Sequence, residues 1–292
     1  MSRALFIHRR FRHPPASAEP IGTSTMPTSA PAGWTRIYSE DFLTPSALGS
    51  FVNNPTDDWF LDSSNAYANI IRSYPDGWDT TYGYSLNYAS KTVDVLGSYQ
   101  DAAGVFRMHA HTEVINGVQK SLTASLYPVI KPTAQTNNDK VSQIYGRYSC
   151  RFRTVGGFPS SGSRYGTAFF LWPANDVWAE GEVDFPEMGW GDVIRGFIHE
   201  IGNPQNNADI ITTSTATDSD WHTAVIEWYP TALCLYLNGV MIKKTTSNVP
   251  QTPFRWGFQS GGHDGTPAVS VSGDLLVDWV TVESYNGAPV PI

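Results

Sequence analysis

No stretch of this 292-residue chain holds a helical apolar period for more than two turns, and 25 glycines and 20 prolines punctuate it throughout. Long helices do not survive that spacing of breakers. What recurs instead is alternation. Between Val105 and Glu113, the residues Phe106, Met108 and Ala110 take one parity and Arg107, His109 and His111 the other. That is the pattern of a half-buried strand. The run from Leu233 to Lys243 reads as a hairpin about Asn238-Gly239, a pair that tolerates the positive φ of a two-residue turn. Leu275 to Glu283 is a further β-rich run. The expected fold is all-β, with many short antiparallel strands closing as a sandwich or jelly roll. An aromatic share of 13% against a charged share of 16% suits such strands better than a helical bundle.

Within one apolar run stand three carboxylates, in Gly181-Glu182-Val183-Asp184-Phe185-Pro186-Glu187. Side chains i and i+2 of a strand share a face, so Glu182 and Asp184 point one way and Val183 and Phe185 the other. Glu187 has the wrong parity. One inserted residue, a β-bulge, would return it to the acid face, and Pro186 cannot donate to a ladder, so a disrupted ladder is expected there. Crowded like charges oppose folding. They suit retaining glycoside hydrolysis, in which an ionised carboxylate and a protonated carboxyl flank the scissile bond. A third acid between them can push the outer pKa values apart. For Glu182 and Asp184 alone, a strand edge with solvated acids is the competing reading.

The segment Glu182-Val183-Asp184-Phe185-Pro186-Glu187 resembles the signature of glycoside hydrolase family 16 in its bulged Glu-x-Asp-x-x-Glu form. The resemblance extends through Tyr145-Gly146-Arg147-Tyr148 with Arg151, and through Phe170-Leu171-Trp172-Pro173. It continues in the segments beginning at Trp221, Leu235, Arg255 and Leu276, in the family's order, and covers roughly residues 34 to 286. It implies a concanavalin A-like jelly roll of two curved antiparallel sheets, the concave one carrying a sugar cleft. It also implies roles: Glu182 as nucleophile, Glu187 as acid and then base, Asp184 as the group that tunes the pair. The residues alone leave the two glutamates interchangeable. Sugar rings stack on aromatics, which makes Trp178 and Trp190, on either side of the hexad, candidates for the cleft wall. Trp172 and Trp256 are further candidates, and each, as a strand tryptophan, reads equally as core. His199 and Gln259 match family positions near the acids, and each reads equally as structural. Arg151 matches a family arginine in position. The chain departs from the family at Trp178-Ala179-Glu180-Gly181, one residue shorter than usual and without its proline, and at Ser149 and Glu200.

The net charge of −8 argues against a nucleic-acid partner, and no apolar stretch is long enough to span a membrane. A polysaccharide is the expected partner, and the protein is expected to act as a monomer. Residues 1–33, with Arg3, Arg9, Arg10 and Arg12 and then a Pro-, Ser- and Thr-rich stretch, read as a flexible basic arm before a catalytic domain over 34–292. Ala4-Leu5-Phe6-Ile7 is too short for the apolar core of a secretory signal, although extracellular action is expected. Cys150 and Cys234 read as two buried thiols, a disulfide being open to them only on neighbouring strands. No cofactor is required. Asp278 matches a family position for a structural calcium ligand, while His109, His111 and Glu113 read as a solvated face rather than a metal site. The leading expectation is an endo-acting retaining hydrolase of β-1,3- or mixed β-1,3/1,4-glucan. A lectin-like module or a particle-associated adhesion domain on the same fold is the alternative.

Overall fold

Alternation becomes two sheets of ten strands each in the structure, a computed structural model that describes residues 25–80, 85–99, 102–133, 136 and 138–292. In the first sheet, Ser272–Tyr285 is central, flanked by Gly146–Gly156 and Val105–Ile115. In the second, Tyr165–Pro173 lies between Val183–Gly189 and Phe254–Gly262, with Val193–His199 and Asn207–Thr217 beyond on one side. Ser125–Pro128, Ile71–Ser73 and Asp57–Leu61 continue it on the other side. Pairing is antiparallel except between Ser85–Asn87 and Val118–Thr123.

The two sheets face each other across one apolar core. Phe152 of the first meets Phe169 of the second with ring centroids 5.5 Å apart, and Phe106 meets Phe258 edge-on at 5.6 Å. The parity expected for residues 105–113 holds: Phe106, Met108 and Ala110 are buried, and Arg107, His109 and His111 are half-buried on the outer side. Asn238 and Gly239 take φ values of 50° and 76°, the conformation of a two-residue hairpin turn. Cys150 lies in the core between the sheets and Cys234 in a separate cluster with Trp34 and Tyr229, so both are free, buried thiols.

The first 24 residues of the expected arm lie outside the described residues. Residues 25–33 lie against the domain. Pro27 and Ser29 offer carbonyls to the Arg36 guanidinium, and Ala30 packs beside Trp34. Trp34–Glu40 then pairs with the end of Ser272–Tyr285, which brings Gly33 against Ala288 on the first sheet. Among the described residues no helix is long and apolar enough to cross a membrane.

Candidate active site

The acid strand is bulged where its parity demands it. Phe170 pairs with Asp184 and Ala168 with Glu187, so two steps on one strand match three on the other. The other neighbour repeats the count, with Asp184 opposite Phe197 and Glu187 opposite Arg195. Pro186 lies inside that extra step, and its missing N–H leaves no ladder bond to lose. Val183, Phe185 and Met188 consequently enter the core, while Asp184 and Glu187 both face outward. Glu182 joins them from the loop before the strand, its carbonyl accepting the His199 backbone N–H at 3.0 Å.

The three acids form one wall of a cavity of about 360 Å³, within the range of small-ligand sites. Trp172, Trp178, His199, Gln259 and the small Ala168 complete it. Trp178 stands on a short 3₁₀ turn and donates its indole N–H to Glu182 Oε2 at 2.6 Å. Its ring lies 6.3 Å from Trp172 at 22°, nearly parallel. Gln259 is buried, and its side-chain oxygen accepts from the Ser125 hydroxyl at 2.9 Å, which fixes the amide's orientation.

Proton placement follows from donors and acceptors. The Pro204 carbonyl can only accept, so the His199 nitrogen 2.8 Å from it, Nδ1, carries a proton. His199 Nε2 then lies 3.1 Å from Asp184 Oδ2 and 3.7 Å from Glu182 Oε2. Burial raises all three carboxyl pKa values and mutual repulsion adds to it: Glu187 to about 7, Glu182 to about 9, and Asp184 well above its ordinary value. Three charges cannot coexist here, and the protons belong to the set. Taken residue by residue, the values would ionise Glu187 first; the hydrogen bonds argue for Glu182. The rise at Glu182 comes from burial and then from charge on Asp184. A proton on Asp184, or on His199 Nε2, therefore favours an ionised Glu182, whose charge the Trp178 N–H also stabilises. Charge on Glu182 in turn helps to keep Glu187 protonated.

The family model of Glycosyl hydrolases family 16 matches residues 103–281, more than half of the chain. The chain belongs to this family. No curated protein sequence matches it. Among solved structures, the family 16 non-specific endo-β-1,3(4)-glucanase SCLam aligns at a TM-score of 0.62 and 15% identity, over 89% of this chain and 94% of that one. The laminarinase from Rhodothermus marinus aligns at 0.61 and 18%, over 86% and 98%. The endo-β-1,3-glucanase from Pyrococcus furiosus aligns at 0.60 and 18%, over 86% and 95%. At these identities the likeness is one of fold, the jelly-roll sandwich of family 16.

Against that fold, three expected sugar-binding residues lie elsewhere. Trp190 is fully buried, 5.6 Å from Tyr165 and packed where Gly157 leaves room for its ring. Trp256 points between the sheets with Phe254 and Phe258, because the cleft face of its strand belongs to Arg255, Gly257 and Gln259. Arg151 is on the first sheet, its side chain on the face away from Cys150 and Phe152, where it donates to Asp278 Oδ2 at 2.5 Å and lies over Trp221. That contact bears on the expected calcium position at Asp278. Its buried carboxylate already faces a guanidinium, a poor arrangement for a divalent cation. Trp178, His199 and Gln259 are brought to the acids, and Trp172 joins them. On the outer face of the first sheet, His109 meets Asp274 at 2.7 Å and His111 meets Glu113 at 3.1 Å. Glu182, Asp184 and His199 do offer three donor atoms within 4.8 Å of one another. Trp178 already occupies Glu182, however, and His199 occupies Asp184.

Proposed function

We propose that this protein is an endo-acting retaining glycoside hydrolase of β-linked polysaccharide, with β-1,3- or mixed β-1,3/1,4-glucan as its substrate. The observation that carries the reading is the bulge, which brings Glu187 onto the face of Glu182 and Asp184 beside a tryptophan-walled cavity. Family membership supports the class of chemistry, and the β-1,3- and β-1,3(4)-glucanase neighbours support the polymer and the endo mode.

In this reading Glu182, held by the Trp178 N–H, attacks the anomeric carbon as the glycosidic C–O bond breaks. Glu187, protonated near neutral pH, gives its proton to the departing oxygen. Glu187 then takes a proton from water, which displaces Glu182 from the same carbon and restores both carboxyls. Asp184 and His199 retain a proton beside Glu182, so that its charge can form and then be consumed. Trp172 and Trp178 offer flat faces to the sugar's C–H surface.

The test is reducing-sugar release from laminarin, lichenan and agarose, with Glu182→Gln in parallel and product anomers followed by NMR. Release from the glucans with β-anomer formed first, absent in the variant, is expected. Release of the inverted anomer would exclude the nucleophile role. No release from any polymer would exclude the hydrolase reading.

A further inference from the structure

Tryptophans continue away from the acids across the second sheet. Trp172 donates its indole N–H to Asp176 Oδ1 at 2.8 Å, and Asp176 also pairs with the Arg255 guanidinium. Arg255 lies over the Trp59 ring at 5.8 Å. Trp59 in turn meets Trp78 edge-on, with ring centroids 6.2 Å apart and planes at 85°. Trp172 and Trp59 rest on the same buried cluster, which includes Tyr74, Tyr127 and Phe170. A chain of side-chain contacts through Trp172, Asp176, Arg255 and Trp59 therefore links Trp178, beside Glu182, to Trp78.

Trp78 stands out in that row because it is 48% exposed. Its ring is nevertheless backed by Tyr74, 6.3 Å away, as well as by Trp59. Its backbone is pinned on both sides. The Trp78 N–H donates to Pro75 O at 3.2 Å, and its carbonyl accepts from the Asn87 N–H at 2.7 Å. The Gly77 N–H donates to Asn87 O at 2.7 Å, with Gly77 at a φ of 88° that glycine adopts without strain. A large apolar ring held rigid and left in water gains little for folding. For a partner it is already organised, because little conformational entropy remains to be lost on contact.

We propose that Trp78, backed by Trp59 and Tyr74, is a distal stacking platform for the polysaccharide chain, gripping sugar rings beyond those at the acids. This rests on the hydrolase reading above. The occupant follows from continuity with the cleft: a polymer lying across Trp178 and Trp172 meets Trp59 and Trp78 as it leaves on the Gln259 side. The platform rewards long substrates over short ones, and so favours binding within a polymer over binding at a fragment.

The experiment compares wild type, Trp78→Ala and Trp78→Tyr on lichenan, laminarin and a short β-glucan oligosaccharide, with thermal melting of each. Loss of one aromatic stacking contact predicts an about two- to tenfold fall in the ratio of kcat/KM on polymer to kcat/KM on the oligosaccharide for Trp78→Ala. The fall should be carried by KM, with Trp78→Tyr recovering most of it. Mobility in polymer-containing native gels, measured on the same variants in the Glu182→Gln background, should show the same order without turnover. An unchanged ratio together with unchanged gel retardation overturns the platform while leaving the hydrolase reading intact. Retardation that depends on Trp78 in a protein without hydrolytic activity upholds the platform and overturns the hydrolase reading.

Discussion

Replacing Glu187 by glutamine should destroy activity and raise stability, with the gain confined to one side of the pH scale. Its carboxyl is pushed from 4.5 to about 7, first by burial and then by charge on Glu182. A raised carboxyl pKa means that the folded protein binds the proton more tightly than the unfolded chain does. Stability from this group is therefore fully present below about pH 4.5 and is lost as pH climbs through 7. The difference between 4.5 and about 7 corresponds to about 3 kcal/mol at pH 8. Glutamine keeps the shape and cannot ionise. For a domain of this size, melting temperatures would differ by about 6–12 °C at pH 8 and converge near pH 4. The assay is thermal unfolding of both proteins across that range, beside kcat/KM on the preferred glucan. A gap of equal size at pH 4 and pH 8, or a variant that melts lower at pH 8, would refute the argument that Glu187 is held protonated by its surroundings.

Other outcomes follow from single contacts. In the wild type, kcat/KM should decline as pH rises through about 7 and Glu187 loses its proton, which a pH–rate profile checks. Trp178→Phe keeps a flat ring but removes the N–H from Glu182; kcat/KM should fall about tenfold to a hundredfold, the worth of a hydrogen bond to a charged group. Trp190→Ala should cost about 3–5 kcal/mol of stability, read by denaturant unfolding, with KM unchanged in whatever protein remains folded. Because Arg151 already holds Asp278, a chelator should leave the melting temperature where it was, and a fall would favour a calcium ion at Asp278.

The site was legible where parity governs. Glu182 and Asp184 could be placed on one face by counting, and the mismatch of Glu187 together with Pro186 called for the bulge that both neighbouring strands display. The same counting could have excluded Trp256. It stands three residues from Gln259, so a regular strand cannot turn both toward the cleft, and the core received the tryptophan. Trp190 misled by nearness in sequence: once the strand ends at Gly189, parity no longer predicts direction, and the gap at Gly157 drew the ring inward. Arg151 could not have been placed by local reasoning, because which sheet a strand joins depends on pairings distant in the chain. Trp59 and Trp78 lie about a hundred residues before the acids, and no local pattern announces that Arg255 and Tyr74 connect them to the cleft.

The pairing of Trp34–Glu40 with the end of Ser272–Tyr285 also bears on how the domain can be handled. Both strands belong to the sheet opposite the cavity, and Gly33 touches Ala288. A linker of a few residues could join them, so circular permutation should be tolerated if new ends are opened at an exposed turn. For the same reason, a tether attached just before Trp34 or just after Ala288 would hold the domain by its back, leaving the tryptophan-walled side turned toward an insoluble polymer.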